Sequence, residues 1–188
     1  MYCIVWAANC KGVVSLERKN TRAAVLTVTV TAVFLAMNIA LSSFGVPVPG
    51  GHLYLNDVVI VLASILLGPF EAFVVGGVGA FLGDFFFYPT PMFVSLVTHG
   101  IQAVVISLFA HKLAGKRCVL MSGVGAAIGA VIMVVGYSLG RAFIYSTPEY
   151  AILKLPFQIL QAAVGAVLGM VLCWGCGIHK LYEKLMSR

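Results

Sequence analysis

Residues 47–60 read PVPGGHLYLNDVVI and pass from a loop of prolines and glycines directly into an apolar run. Only 10% of the 188 residues are charged, so the aspartate at the threshold of this run, Asp57, needs a physical reason. Helix capping is one reason, because Asp and Asn accept hydrogen bonds from the free N–H groups of a first helical turn. A role in binding at the mouth of a pocket is the other.

The composition predicts an integral membrane protein. Hydrophobic residues make up 61% of the chain and the mean hydropathy is +1.05, whereas soluble domains contain about 45–50% apolar residues. The net charge of +6 is explained by basic residues that flank the apolar runs, which is the pattern of a topology signal and not of a nucleic-acid-binding patch.

The sequence contains no motif of an enzyme or of a metal site. It has no Walker P-loop, no H-E-x-x-H and no G-x-S-x-G. The pair Cys173 and Cys176 has C-x-x-C spacing but lies inside an apolar helix without further ligands, where cysteine is usually a small hydrophobe. We therefore expect a protein that is not an enzyme and has no cofactor and no metal.

The apolar runs predict an all-α bundle of six transmembrane helices. A loose or interfacial leader at 1–21 precedes a membrane domain at 22–178, and a basic cytoplasmic tail follows at 179–188. The dipeptide Gly68-Pro69 predicts a tight turn between two helices, because glycine closes one helix and proline suits the first turn of the next. The predicted helices are 22–44, 57–68, 70–86, 92–112, 118–144 and 152–178.

The basic residues predict the orientation of this bundle. With six spans, both termini and the loop between the fourth and fifth helices share one side, which the positive-inside rule makes cytoplasmic. Arg141 and Lys154 fall near the opposite face. Ten of the twelve Lys and Arg residues lie on the cytoplasmic side: Lys11, Arg18, Lys19, Arg22, Lys112, Lys116, Arg117, Lys180, Lys184 and Arg188.

Polar residues gather at the outer ends of the predicted helices. Within the last helix, Lys154, Gln158 and Gln161 have i, i+4, i+7 spacing and share one face, as do Tyr137 and Arg141 in the helix before it. Such stripes should face protein or water, and the charges should pair, Asp57 or Asp84 with Arg141 or Lys154. The candidate binding residues are Asp57, Asp84, Tyr88, His99, Tyr137, Arg141, Lys154, Gln158 and Gln161, with Gln102 beside them.

Each of these residues also has a structural explanation. Asp57 can cap its helix, His99 can be a packed histidine, and the glutamines can bond helix to helix. Arg141 and Lys154 can snorkel to the membrane interface. Asp84 is the least easily explained in this way, because it lies late in its helix, where the dipole disfavours a carboxylate.

Small residues form a smooth strip on the first helix. Ala32, Ala36 and Ala40 repeat every four residues and permit close approach of another helix. The strip predicts either packing inside the bundle or contact with a partner membrane protein.

Four segments in one register resemble the substrate-binding S components of energy-coupling-factor (ECF) vitamin transporters. They are LYLNDVVI (53–60), LLGPFEA (66–72), GGVGAFLGD (76–84) and LPFQILQAAVGA (155–166). The resemblance covers about residues 22–178 and is closest to the branch linked with riboflavin, pyrimidine and pyridoxine precursors.

The resemblance implies a plasma-membrane protein of a bacterium or archaeon that binds a vitamin or precursor near the outer face. The nine candidate residues would line that pocket, and a first loop with His52, Tyr54 and Asn56 would gate it. Family members work with a transmembrane T component and two cytoplasmic ATPases, which supply the energy while the loaded S component topples in the membrane. An A-x-x-x-A strip contacts the T component, and Ala32, Ala36 and Ala40 match it.

Two other functions remain open at this stage. A six-helix scaffold resembling MreD of the cell-shape machinery would have no small-molecule pocket, and its polar residues would only join helices. A stand-alone transporter or channel would continue its polar residues through the inner half of the bundle.

Overall fold

The computed structural model describes residues 2–49, 51–111 and 118–187, with side chains from residue 21 onward. Within these ranges the chain forms one β-hairpin and seven helices. These elements are α1 (Tyr2–Ser42), β1 (Val46–Val48), β2 (Gly51–Leu53), α2 (Asn56–Leu66), α3 (Pro69–Phe87), α4 (Met92–His111), α5 (Cys118–Tyr145), α6 (Pro148–Gly175) and α7 (Ile178–Ser187).

Five of these helices are long and apolar enough to cross a membrane: α1 from Thr21, then α3, α4, α5 and α6. Helix α2 is apolar but has only 11 residues, a length of about 16 Å at 1.5 Å per residue. The chain is therefore an all-α, multi-pass membrane protein. Short π-helical stretches interrupt α3 at Val74–Val78 and end α5 and α6 at Arg141–Tyr145 and Val171–Gly175.

The predicted helices are found, with two differences at their starts. Helix α6 begins at Pro148 and not at residue 152, because Pro148 occupies the first turn after an extended Thr147 and Glu149 complements the helix dipole. The backbone of α1 is helical from Tyr2 onward. The side chains of residues 1–20 lie outside those described, so the interfacial leader stays a prediction.

The loop after α1 is a β-hairpin, which the proline-rich sequence did not predict. Its antiparallel register pairs Val46 with Leu53, Pro47 with His52 and Val48 with Gly51. Gly51 has a φ of 146°, which an L side chain rarely adopts. The pairing ends at Leu53, directly before Tyr54.

Helix α1 packs against the glycines of α3 through a polar face. Asn38 and Ser42 are buried, and Asn38 Nδ2 donates to the carbonyl of Val75 at 2.6 Å. A Cβ at Gly79 would come within 2.6 Å of Asn38 Nδ2, so the approach depends on glycine. The alanines of the predicted strip, Ala32, Ala36 and Ala40, lie on the exposed face of α1. Of the two alternatives for this strip, packing inside the bundle is therefore wrong as a prediction.

Helix α2 is surrounded by the other helices and forms the centre of the core. Val61, Leu62, Ala63, Ile65 and Leu66 are each at most 6% exposed. Val75, Ile106, Ala126 and Cys173 of the neighbouring helices complete the same cluster. The apolar core thus fills the bundle on one side of Asp57, towards the ends of α2, α4 and α6.

Candidate functional site

A cavity opens at the end of the bundle where α2, α4 and α6 begin. Its volume is about 50 Å³, which by the same measure holds about four water molecules. The hairpin covers one side, and helices α1 to α6 supply the rest. The lining residues are Ser42, Gly51, His52, Tyr54, Asn56, Asp84, Tyr88, Pro91, His99, Met133, Tyr137, Arg141, Tyr145, Lys154, Gln158 and Gln161.

The floor of this cavity lies deep within the bundle. Asp57, in the first turn of α2, bonds to Gln161, which is 13 residues after Pro148 at the start of α6. At 1.5 Å per residue, α2 begins about 20 Å below the start of α6.

The carboxylate of Asp57 joins three helices. Gln161 Nε2 of α6 donates to Asp57 Oδ2 at 2.7 Å, and Gln102 Nε2 of α4 donates to Oδ1 at 3.3 Å. His99 Nδ1 lies 2.7 Å from Gln102 Oε1 and 3.7 Å from Asp57 Oδ1. The start of α2 has no side-chain capping hydrogen bond, so capping of this kind does not explain Asp57. The aspartate lies behind the lining residues His99 and Gln161 and holds them in place.

Helix α6 can approach Asp57 because of a glycine. A Cβ at Gly165 would lie closer than 3.0 Å to the Cβ of Asp57, and one at Gly169 would lie 2.7 Å from the Cβ of Val61. Two glycines four residues apart therefore set the spacing between α2 and α6.

A second polar group surrounds Asp84, near the end of α3. Ser95 Oγ of α4 donates to Asp84 Oδ2, and Tyr137 OH of α5 donates to Ser95 Oγ at 2.5 Å. The rings of Tyr137 and His99 meet edge to face at 5.2 Å. Asp84 lines the cavity with one oxygen engaged, so a carboxylate acceptor lies at the wall.

Two cations lie beneath the hairpin. Lys154 Nζ donates to the backbone carbonyl of His52, and Lys154 is 3% exposed. A Cβ at Gly51 would lie 3.6 Å from Arg141 Nη1 and 3.9 Å from Lys154 Nζ. The predicted pairing of Lys154 with Asp57 or Asp84 is wrong, because the ammonium bonds to a carbonyl of the hairpin. The guanidinium carbon of Arg141 lies 5.3 Å from the centre of the Tyr145 ring.

Aromatic rings connect the hairpin to the cavity wall. The His52 ring lies 6.2 Å from those of Tyr54 and Tyr88. The backbone N–H of Tyr54 donates to Gln161 Oε1 at 3.1 Å, which extends the Asp57 group into the hairpin. Burial, with the nearby Asp84 carboxylate, raises the pKa of Tyr54 to about 12. Tyr54 therefore stays a neutral phenol at physiological pH.

The lining contains buried polar atoms without a hydrogen-bond partner among the described residues, and Asn56 Oδ1 and Tyr145 OH are examples. A buried polar group without a partner costs about 1–3 kcal/mol. A ligand with a donor for Asn56 and a donor or acceptor for Tyr145 would remove that cost.

The structure brings eight of the nine predicted binding residues to the lining, and it places Asp57 behind them. Gln158 lines the cavity but also donates to the carbonyl of Val134 at 2.7 Å, so it joins α5 to α6. Sequence reasoning missed Ser95 and Tyr145. Tyr145 extends a recognised stripe, since it follows Arg141 by four residues, and Ser95 lies one helical turn before the predicted residue His99. Ser42, Pro91 and Met133 gave no such signal.

Comparisons with known proteins identify the family of this chain. The model of the family described as ECF-type riboflavin transporter, S component, matches residues 22–177. A thiamine precursor transporter, HmpT of Lactococcus lactis, is 33% identical over 162 residues, which is 84% of this chain and 89% of that protein. A Pyrococcus woesei protein described as "Uncharacterized protein in gap 3'region" is 31% identical over 126 residues, 66% of this chain and 82% of that protein.

The matched region contains every span and the whole of the cavity. The family consists of transport proteins, so the chain is not an enzyme. It belongs to the S components of ECF-type riboflavin transporters.

Proposed function

We propose that the chain binds a vitamin or vitamin precursor of the riboflavin, pyrimidine and pyridoxine class and delivers it to an ECF-type ABC transporter. The observation that supports this most directly is the cavity, where polar groups from six helices and a hairpin converge deep in an apolar bundle. Small-molecule sites have this form, a concave space with a few placed polar groups.

Different residues of the lining contact different parts of the ligand. Asp84, His99 and Asn56 hydrogen-bond polar substituents of a heterocycle, and Arg141, Lys154 and Gln158 bind its acceptor atoms. Tyr88 and Tyr137 supply aromatic walls. Asp57 is a positioning residue, since it acts through the His99 and Gln161 side chains that it orients.

The hairpin is the gate of this site. A cavity of about 50 Å³ holds a few water molecules and not a heterocycle. Binding therefore requires the cavity to widen, and outward movement of the hairpin would widen it by breaking the hydrogen bonds of Lys154 to His52 and of Tyr54 to Gln161. The ligand replaces these bonds when the gate closes over it.

The molecule has six membrane helices, with α2 as the short one, and both termini in the cytoplasm. It lies in the plasma membrane of a bacterium or archaeon. A transmembrane T component and two cytoplasmic ATPases complete the transporter. The exposed strip of Ala32, Ala36 and Ala40 contacts the T component, because only small residues allow backbones to come close.

The structure offers little support for a channel. The core beyond Asp57 is apolar among the described residues, from Val61 to Leu66 and across to Ile106 and Ala126. Ser64, Ser107 and Ser122 are buried there, and the hydroxyls of the first two donate to backbone carbonyls. This core separates the cavity from the opposite end.

Native mass spectrometry of the purified protein separates the proposal from a membrane scaffold. We expect a heterocycle to be retained at one molecule per chain, either co-purified or added from a set of riboflavin, pyridoxine and the hydroxymethylpyrimidine precursor of thiamine. A protein that stays empty with all of these and does not associate with a T component would be a scaffold.

A further inference from the structure

The last helix, α7, begins immediately after a membrane span. Helix α6 ends at Gly175, and α7 starts at Ile178 after Gly177, whose φ of 73° turns the chain. The His179 ring lies 4.2 Å from that of Trp174, and its Nδ1 lies 3.1 Å from the carbonyl of Cys173. The start of α7 is thereby fixed against the end of α6.

From there α7 crosses the end of the bundle that is opposite the cavity. Ile178 and Tyr182 pack against the core cluster, and burial with the nearby Glu71 carboxylate of α3 raises the pKa of Tyr182. Tyr182 and Glu183 also share a cleft with Leu66 at the end of α2 and His111 at the end of α4. A helix that meets the ends of several spans in turn runs along the membrane surface.

The exposed surface of α7 carries a leucine stripe and a lysine stripe, and the exposed Glu183 lies at the cleft beside the bundle. Leu181 and Leu185 are 68% and 40% exposed and lie one turn apart. Lys180 and Lys184 are also exposed and one turn apart, on the neighbouring side. A helix that carries a leucine stripe next to a lysine stripe suits the boundary between acyl chains and headgroups, where lysine ammonium groups meet lipid phosphates.

We propose that α7 binds anionic phospholipid in the leaflet at this end of the molecule, with Leu181 and Leu185 among the acyl chains and Lys180 and Lys184 on the phosphates. The leucine stripe continues the lipid-facing surface of the spans. The lysines select anionic lipid, because attraction to a negative surface adds to the apolar contact. This proposal is independent of the vitamin site, which lies at the other end.

Hydrogen–deuterium exchange of the full chain in nanodiscs tests the proposal. One set of nanodiscs contains only phosphatidylcholine, and in the other roughly a third of the lipid is phosphatidylglycerol, which gives the surface the negative potential that attracts basic segments. We expect the amides of residues 178–187 to exchange several-fold more slowly with phosphatidylglycerol. The Lys180→Gln/Lys184→Gln variant should lose this difference, and Lys180→Arg/Lys184→Arg should keep it.

A second variant separates the two stripes. Leu181→Ser/Leu185→Ser should exchange faster in both kinds of nanodisc, while α4 and α5 exchange as in the native protein and show that the fold is intact. Equal exchange of the native α7 in both nanodiscs would overturn the proposal. Slowing that appears only after a partner protein is added would also overturn it, because the face would then be a protein interface.

Discussion

At the scale of single residues, Lys154 connects the gate to the pocket. Its ammonium is buried and donates a hydrogen bond to the carbonyl of His52. Lys154→Met keeps the length of the side chain and removes the charge. A hydrogen bond to a charged group contributes about 1.5–3 kcal/mol, so we expect the dissociation constant of the vitamin to rise roughly 10- to 100-fold.

Equilibrium titration of the purified variant measures this change. Lys180→Met is the matched control, because it removes a lysine from the opposite end of the molecule and should leave the affinity unchanged. Equal affinities of the Lys154→Met and Lys180→Met variants would show that Lys154 does not contribute to vitamin binding.

Asp57 acts on stability as well as on binding. Both oxygens of Asp57 accept a hydrogen bond from a glutamine side chain, Gln102 or Gln161. In Asp57→Asn an NH₂ group replaces one of these oxygens, so that NH₂ group faces the NH₂ group of a glutamine and the hydrogen bond is lost. A buried donor without a hydrogen-bond partner costs about 1–3 kcal/mol of stability. We therefore expect a clearly lower thermal unfolding midpoint. Ser64→Ala on the same helix should change the midpoint less, because its hydroxyl bonds only to its own helix. Equal midpoints for the two variants would show that Asp57 does not join the helices.

The side chains illustrate what the sequence can and cannot predict. The spacing of Lys154, Gln158 and Gln161 predicted one shared face, and all three line the cavity. The position of Asp57 behind the wall could not be predicted, because it depends on the approach of α6 at Gly165. That approach is a tertiary contact between residues 108 positions apart, and no local pattern reports it.

At the scale of elements, the spacing of α2 and α6 depends on Gly165. In Gly165→Ala the added Cβ would lie closer than 3.0 Å to the Cβ of Asp57, so the helices must separate. Overpacking of this kind costs about 1–3 kcal/mol, and we expect both a lower unfolding midpoint and weaker vitamin binding.

Gly123→Ala is the matched control for this prediction. Its Cβ would meet only Met170 Cε, at an ordinary 3.6 Å, and alanine is favoured over glycine in a helix by about 0.5–1 kcal/mol. The control should be as stable as the native protein or more so. A Gly165→Ala variant that behaves like the control would contradict close packing of α2 on α6.

The elements differ in how well their sequence predicts them. The long apolar runs predict the first and last residues of α3, α4, α5 and α6 to within a few positions. They must be helical because, inside a membrane, a helix satisfies all the backbone hydrogen-bonding groups of its own segment. The hairpin was predicted as a loop because its two strands have only three residues each and contain Pro47. Its pairing is stabilised from outside, by the bonds of Lys154 to His52 and of Gln161 to Tyr54.

At the scale of the whole molecule, the exposed alanine strip predicts how the transporter assembles. Ala36→Leu places a bulky side chain where the T component should approach, so we expect the yield of co-purified T component to fall several-fold. Vitamin binding by the isolated chain should not change, since Ala36 lies on the outer face of α1. Met37→Leu, a volume-conserving change at a neighbouring exposed position, is the control. Unchanged co-purification of the Ala36→Leu variant would place the partner interface elsewhere.

The central claim is that the cavity under the hairpin is the vitamin site, and equilibrium binding tests it most directly. The native chain and the Asp84→Ala and Lys154→Ala variants are titrated with riboflavin, pyridoxine and the hydroxymethylpyrimidine precursor, with unfolding midpoints measured in parallel. We predict that one of these compounds binds the native chain at one site per molecule and that both folded variants lose most of that affinity. Native affinity in both variants would contradict the account, and so would a native chain that binds none of the three.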